Sequence, residues 1–282
     1  MIDQELASIV QQEQVKGTHQ PYIRSLLKEY LQIRILFFIY TTKEYDQNLI
    51  FTGGTCLRHF YNIERLSEDV DFDYLDNINV NQLQQDLEDY FVKKEKYNQI
   101  QISVHQRGDQ ILLKFPVLYQ LGLANFSQSD LLYIKLDLSA NLSPHYSVIT
   151  SSASKYGFNF VAKHYDLPDL MAGKIHAILS REYLRGKDNR LSVKGRDYYD
   201  LLWFVKQAIK PNLARLSDLL GRRVSSADIS QELDRKVDLI TTKLKTDFKN
   251  DLLPFLLNPE AVPGFVDNYQ DEYNRHKKKS FF

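Results

Sequence analysis

In FTGGTCLRHFYNIERLSEDVDFDY, residues 51–74, a short apolar strand from Asn48 to Thr52 runs into Gly53, Gly54 and Thr55, and a short helical stretch, CLRHFYNI, follows. Val70 to Tyr74 then alternates Val, Asp, Phe, Asp and Tyr. At a side-chain period of two, Asp69, Asp71 and Asp73 point to one face, while Val70 and Phe72 point to the other, into a core. Three carboxylates in a row repel, and such an arrangement persists where a cation neutralises it. Asp pairs at this spacing hold Mg²⁺ ions about 4 Å apart across a phosphoryl transfer.

The glycines supply what carboxylates do not. Without Cβ atoms they let backbone amides at a strand-to-helix turn approach a triphosphate, and Thr55 adds a hydroxyl. A strand ending in Gly-Gly is by itself a tight turn, and Asp-x-Asp alone reads as a solvated face. Only together and in this order do they point to nucleotide chemistry. The pattern is not a P-loop, because no Gly-Lys-Ser/Thr follows.

Working outward, residues 22–43 repeat apolar side chains at three and four and predict a long, well-buried helix. Val80 to Lys96 returns to helical spacing, whereas 100–104, 109–118 and 131–139 are strand-like, with antiparallel pairs expected from short connections. In LLYIKLDLS, the side chains of Tyr133, Lys135, Asp137 and Ser139 share one face. Were this strand beside that of Asp71, Asp137 would be a third metal carboxylate; the equal alternative is a polar face on which Asp137 pairs with Lys135.

After about residue 165 the strand signal disappears, and Asp166 with Pro168 heads a helix expected to reach Tyr183. The fold class is therefore α+β: a mixed-sheet domain with helices over residues 1–160, followed by a mostly helical domain over 161–282. Further helices are expected over Arg196 to Ala208, 212–220 and 228–248, and the tail RHKKKSFF is expected to be loose. On the helix headed by Asp166, Lys174 falls inside the apolar arc of Leu167, Leu170, Met171, Ile175 and Ile178, with Arg181 near its edge. Either its stem covers apolar surface, or it is aimed at nucleotide phosphates.

A basic patch follows: Arg181, Arg185, Lys187, Arg190, Lys194 and Arg196 face only Glu182 and Asp188. Such a run is either solvated surface or a hold on a nucleic-acid backbone. Next, RDYYDL sets Asp197 and Asp200 three apart on one helix face, where an acid also complements the helix dipole. The histidines show no paired metal spacing, and no Gly-x-Ser-x-Gly elbow is present.

Composition narrows the field further. With 43% hydrophobic and 12% aromatic residues the chain can bury a sizeable core, which excludes disorder as its main state. Lys plus Arg and Asp plus Glu both number 36, so only local clustering can attract a polyanion. The single Cys56 excludes an intramolecular disulfide and a Cys-based zinc site. The acidic start MIDQELASIV does not suit a signal peptide, and no apolar stretch reaches the roughly 18 residues of a membrane span, so a cytoplasmic protein is expected.

Taken together, FTGGTCLRHFYNIERLSEDVDFDY, LMAGKIHAILSR and KGRDYYDLLWF make the chain similar, over about residues 35–210, to the AbiEii/AbiGii nucleotidyltransferase family. This is the toxin component of type IV toxin–antitoxin and phage-defence systems. The Gly-Gly-Thr to Ser-x-Asp-x-Asp pairing is shared with many polymerase-β-like nucleotidyltransferases; the downstream Lys and Arg-Asp-x-x-Asp-Leu motifs are specific to the family. The resemblance implies a bilobed enzyme that uses Mg²⁺ or Mn²⁺ and an NTP, transfers a nucleotide to the 3′ acceptor end of tRNA, blocks translation, and is restrained by a cognate antitoxin.

Carried over by motif, Gly53, Gly54, Thr55 and Ser67 bind the NTP, Asp69 and Asp71 hold the metals, Lys174 is the essential lysine and also meets the NTP, and Asp197 is the final acid. Asp73 lies outside the two-acid motif, and Cys56 stands where Ala or another small residue is expected. The implied reaction is in-line attack of a 3′-hydroxyl on the NTP α-phosphate, with pyrophosphate leaving. Asp197 would either accept the hydroxyl proton or orient Lys174. Rival readings are a small-molecule nucleotidyltransferase acting on an antibiotic-like hydroxyl, a protein-modifying enzyme, and a catalytically silent binding module of the same fold.

Overall fold

In a computed structural model of the chain, which describes residues 1–181, 183–185 and 190–281, β1 (Leu49–Thr52) and β2 (Val70–Tyr74) lie inside a seven-stranded mixed sheet. The other strands are β3 (Gln101–His105), β4 (Gln110–Pro116), β5 (Leu131–Ala140), β6 (Val148–Lys155) and β7 (Phe158–Tyr165), in the order β3-β4-β5-β2-β1-β7-β6. As expected from short connections, β1–β2, β3–β4 and β4–β5 are antiparallel; β2–β5 and β1–β7 are parallel. Sequence reading did not single out β6 and β7. β6 is an edge strand whose residues are mostly exposed, so it carries no apolar alternation to detect.

The sheet belongs to a first unit, Met1–Asn141 with Ile149–His164, which also holds α1 (Ile2–Val15), α2 (Gln20–Thr41), α3 (Lys43–Asn48), α4 (Gly53–Phe60) and α5 (Val80–Asp89). Pro21 sits in the first turn of α2, where a missing N–H costs nothing. This helix is apolar on nearly every side because it packs on α1, α3 and β5. Leu27, Leu31, Ile35 and Ile39 are fully enclosed, each worth about 1.5–3 kcal/mol of transfer from water. The helix expected over 80–96 appears as α5 followed by a π-helical turn at Tyr90–Lys94.

Residues 142–148 and the chain from Tyr165 onward form a second unit. Its helices are α6 (Leu167–Ser180), α7 (Gly195–Lys206), α8 (Leu213–Leu220), α9 (Ser226–Thr242), α10 (Lys245–Leu252), α11 (Val262–Asp267), α12 (Tyr269–His276) and α13 (Lys278–Phe281). The sequence reading puts the break after residue 160; β7 instead carries the sheet to the N-cap of α6, where the Asp166 carboxylate accepts from the Asp169 amide at 3.0 Å. The polar connector after α6 contains a short antiparallel pair, β8 (Tyr183–Arg185) with β9 (Arg190–Ser192).

The tail is a correction. Instead of being loose it forms α12 and α13, with Ser280 and Phe281 buried and Lys277 donating to Asp234 at 2.6 Å. The buried Phe281 and Tyr273, rather than the lysines between them, determine its fate.

Candidate active site

β1 ends where α4 begins. In the antiparallel register Thr52 faces Asp71, so the first turn of α4 starts beside that carboxylate. Gly53 has φ +75°, and a Cβ there would lie 2.0 Å from Asp71 Oδ2. Both the backbone and the space thus demand glycine. At Gly54 a Cβ would come within 2.5 Å of the Arg65 guanidinium and 3.2 Å of Ser67 Oγ. Ser67, assigned to nucleotide binding by its motif, therefore lies against the turn, while its carbonyl accepts from Gln32 at 2.9 Å.

The Thr55 hydroxyl is engaged within the protein. The residue is fully buried, and Oγ1 donates a short hydrogen bond to the carbonyl of Asp69. This hydrogen bond ties the turn to the acidic segment, and the backbone amides of the turn are the groups suited to an anion. Cys56, buried behind it, has its thiol pushed well above the usual range by burial and then by the negative charge of Asp71. Sequence reading missed Arg65, whose isolated position in the sequence gives no periodic signal. It is 1% exposed and donates to the Leu66 carbonyl at 2.9 Å.

On β2, Val70 and Phe72 are buried while Asp71 and Asp73 are half-buried on the other face. Asp69 is half-buried just ahead of the strand. Asp73 pairs with Ile50, one strand repeat beyond Asp71, about 6–7 Å further from the turn. β5 does lie beside β2, with Asp137 in register with Asp71. Asp137 accepts from Gln110 Nε2 at 2.6 Å rather than from Lys135. Among the described residues no group of three or more His, Cys, Asp or Glu is gathered as a metal site. The residue types nevertheless suit a hard divalent cation, since Asp71 and Asp137 are in register on neighbouring strands and Asp69 lies two residues before Asp71.

Within the second unit, the position of Lys174 in an apolar arc is explained by pairing. Its Nζ lies 2.8 Å from Asp197 Oδ1 and 2.9 Å from Asp200 Oδ2, with side-chain exposures of 12%, 9% and 0%. The three-residue spacing on α7 brings both acids onto one lysine of α6. Burial pushes the Asp197 carboxyl upward, but Lys174, by charge and hydrogen bond, and then Lys194 and Arg181 hold it below the usual carboxylate range.

Of the basic run, the structure describes the side chains of Arg181, Lys194 and Arg196. Arg196 lies over the Phe255 ring at 4.2 Å and pairs with Asp251 at 3.5 Å, with its side chain 14% exposed. Arg181 and Lys194 remain beside Asp197. Lys187 and the side chains of Arg185 and Arg190 lie outside the described residues.

The motifs thus sit in two places, a turn with carboxylates on the sheet and a lysine with two acids between helices. Residues 34–277 match the family model described as nucleotidyl transferase AbiEii toxin, type IV TA system. The chain belongs to the AbiEii family. As a family member it is a nucleotidyltransferase toxin, with a nucleotide as substrate and an antitoxin as partner. No match was found among curated proteins. Among solved structures, a putative nucleotidyltransferase from H. pylori is 18% identical with a TM-score of 0.47, over 90% of this chain and 96% of that one. JHP933 from Helicobacter pylori is likewise 18% identical with a TM-score of 0.48, over 90% and 94% of the two chains. Among the described residues no helix of this AbiEii protein is long and apolar enough to cross a membrane.

Proposed function

We propose that this AbiEii protein transfers a nucleotide from an NTP to the 3′ acceptor end of tRNA in the cytoplasm and so stops translation. The observation that carries the transferase reading is the packing of Asp71 against Gly53, which joins an amide-bearing turn and a carboxylate cluster in one piece of structure. Gly53 and Gly54 bring amides to the phosphates, and Arg65 lies buried behind them. Asp69 and Asp71, with Asp137 as a further ligand, would hold Mg²⁺ or Mn²⁺. When bound, such a cation supplies positive charge to the phosphates and lowers the pKa of an attacking hydroxyl.

Lys174 is the cation proposed to act in transfer, and Asp197 the group that orients it. A carboxylate held below its usual range by Lys174 is a poor proton acceptor near neutral pH, which favours orientation over general-base work. The deciding experiment incubates the protein with each α-labelled NTP, Mg²⁺, and total RNA, protein extract or small alcohols. Label on the 3′ end of tRNA is expected. Label on protein or on small alcohols would overturn the acceptor assignment, and absence of transfer to all three would return the chain to a binding module.

A further inference from the structure

The sheet face that carries the carboxylates continues beyond them. β5 is paired on both sides, parallel to β2 and antiparallel to β4, so its outward residues hold fixed positions. Leu132, Ile134, Leu136 and Leu138 are buried on one face, whereas Tyr133, Lys135 and Asp137 share the other. From Asp137, in register with Asp71, Lys135 lies about 6–7 Å back along the strand and Tyr133 about 13 Å. On β4, Lys114 stands directly opposite Tyr133. One line of side chains therefore runs from the metal carboxylates past a lysine to a tyrosine with a second lysine beside it.

These three side chains are not used by the protein itself. Lys114 and Lys135 make no ion pair, and the Tyr133 side chain makes no hydrogen bond or ring contact, among the described residues. Tyr133 is 37% exposed, Lys135 is exposed and Lys114 is half-buried. The acids on this face of β2 and β5, Asp71, Asp73 and Asp137, lie toward its other end, and Asp137 is already bound by Gln110. Asp130, just before β5, has its carboxylate on the Tyr119 amide at 2.5 Å. A lone exposed tyrosine is ordinary surface. Here it is set between cations on a rigid sheet that leads to the carboxylates.

We propose that this face of β4 and β5 is an acceptor platform for the single-stranded end of an RNA, with a base stacked on Tyr133 and backbone phosphates met by Lys114 and Lys135. The end of the strand then reaches Asp71 and Asp137. An exposed ring on a flat sheet takes an unstacked base, which the side of a double helix does not offer. In a protein of zero net charge, local cations must attract the polyanion. The proposal rests on the nucleotidyltransferase reading above and adds the surface on which the acceptor lies.

The test uses the full chain with Tyr133→Ala, Tyr133→Phe and the double variant Lys114→Gln/Lys135→Gln, and three probes: a single-stranded oligoribonucleotide, its blunt duplex and ATP. Tyr133→Ala is expected to lower affinity for the single strand about tenfold, with duplex affinity unchanged and Tyr133→Phe restoring wild-type binding, because the ring and not the hydroxyl carries the stacking. The double variant is expected to weaken single-strand binding and reduce its salt slope by about 0.7 for each lysine removed. ATP affinity should stay at the wild-type level throughout. Wild-type affinity and salt slope for the single strand in both Tyr133→Ala and the double variant, at unchanged melting temperature, would overturn the platform. Loss of ATP affinity with RNA binding intact would overturn it too, since the face would then belong to the nucleotide substrate. Oligoribonucleotide binding needs no transfer: label on protein or small alcohols in the labelling experiment removes the tRNA reading, whereas unchanged binding in these variants removes the platform alone.

Discussion

The Asp71 carboxylate occupies the space that a side chain on Gly53 would need, with Oδ2 2.0 Å from the position of a Cβ. Two motifs eighteen positions apart are therefore one steric unit: the turn closes because residue 53 has no side chain, and the acid is placed because the turn leaves it room. The buried Thr55 hydroxyl reinforces this by binding the carbonyl of Asp69.

A Gly53→Ala variant tests that unit. The left-handed backbone conformation costs an alanine about 1–2 kcal/mol, and the methyl must also displace the Asp71 carboxylate. Nucleotide transfer is expected to fall by about a hundredfold, as a misplaced group of this kind commonly costs, while the protein remains folded. Near-wild-type transfer with a melting temperature lowered only by the backbone term would show that Asp71 can move without consequence.

Asp69→Asn and Asp71→Asn remove charge and keep shape. Each is expected to lower transfer at least about a hundredfold with the fold intact, because an amide cannot replace a carboxylate beside a divalent cation. Asp73→Asn, one strand repeat away, is expected to retain most activity. Titration with Mn²⁺ gives a readout besides activity: both former variants should bind it more weakly than the wild type. Wild-type transfer and Mn²⁺ affinity in both would sink the metal assignment.

How far this was legible in the sequence depends on where the signal lies. Alternation on β2 predicts which face carries Asp71 and Asp73, because Val70 and Phe72 must be buried. The parallel neighbour relation of β2 and β5, which sets Asp137 in register with Asp71, is a tertiary fact that a strand pattern leaves open. Lys174 was identifiable as an anomaly in an apolar arc, yet its partners required knowing that α7 packs on α6. Arg196 reads as one more basic residue until Asp251 and Phe255, more than fifty positions later, enclose it.

The proposed role of Lys174 in transfer and its ion pairs with Asp197 and Asp200 are separated by a designed pair of variants. Lys174→Met alone leaves Asp197 and Asp200 buried without their lysine, which should destabilise the protein by about 3–5 kcal/mol. Adding Asp197→Asn and Asp200→Asn removes the stranded charges and should restore part of that loss, the remainder being the cost of buried amides that have lost the lysine as a partner. Expressed in a bacterial host without the antitoxin, the wild type is expected to slow growth, and the triple variant, at equal protein level, to leave it unaffected. Growth inhibition by the triple variant equal to wild type would make the cluster purely structural.

The same cluster sets a dependence of stability on pH. Burial raises the Asp197 carboxyl, but Lys174, Lys194 and Arg181 outweigh it, so the folded-state pKa lies below the unfolded value of about 3.9. A depressed carboxylate binds fewer protons in the folded state than in the unfolded one. Its contribution to stability is therefore fully present above the unfolded pKa and is lost as pH falls through the folded pKa. Urea unfolding of the wild type and Asp197→Asn, measured from neutral pH down into this acid range, should show a gap in stability at neutral pH that narrows on acidification. The asparagine variant still leaves Asp200 on Lys174, so the gap isolates the Asp197 titration from loss of the whole cluster. A gap that stays constant through the acid range would mean that Asp197 titrates alike in the folded and unfolded chains, contrary to the field that its three cationic neighbours impose.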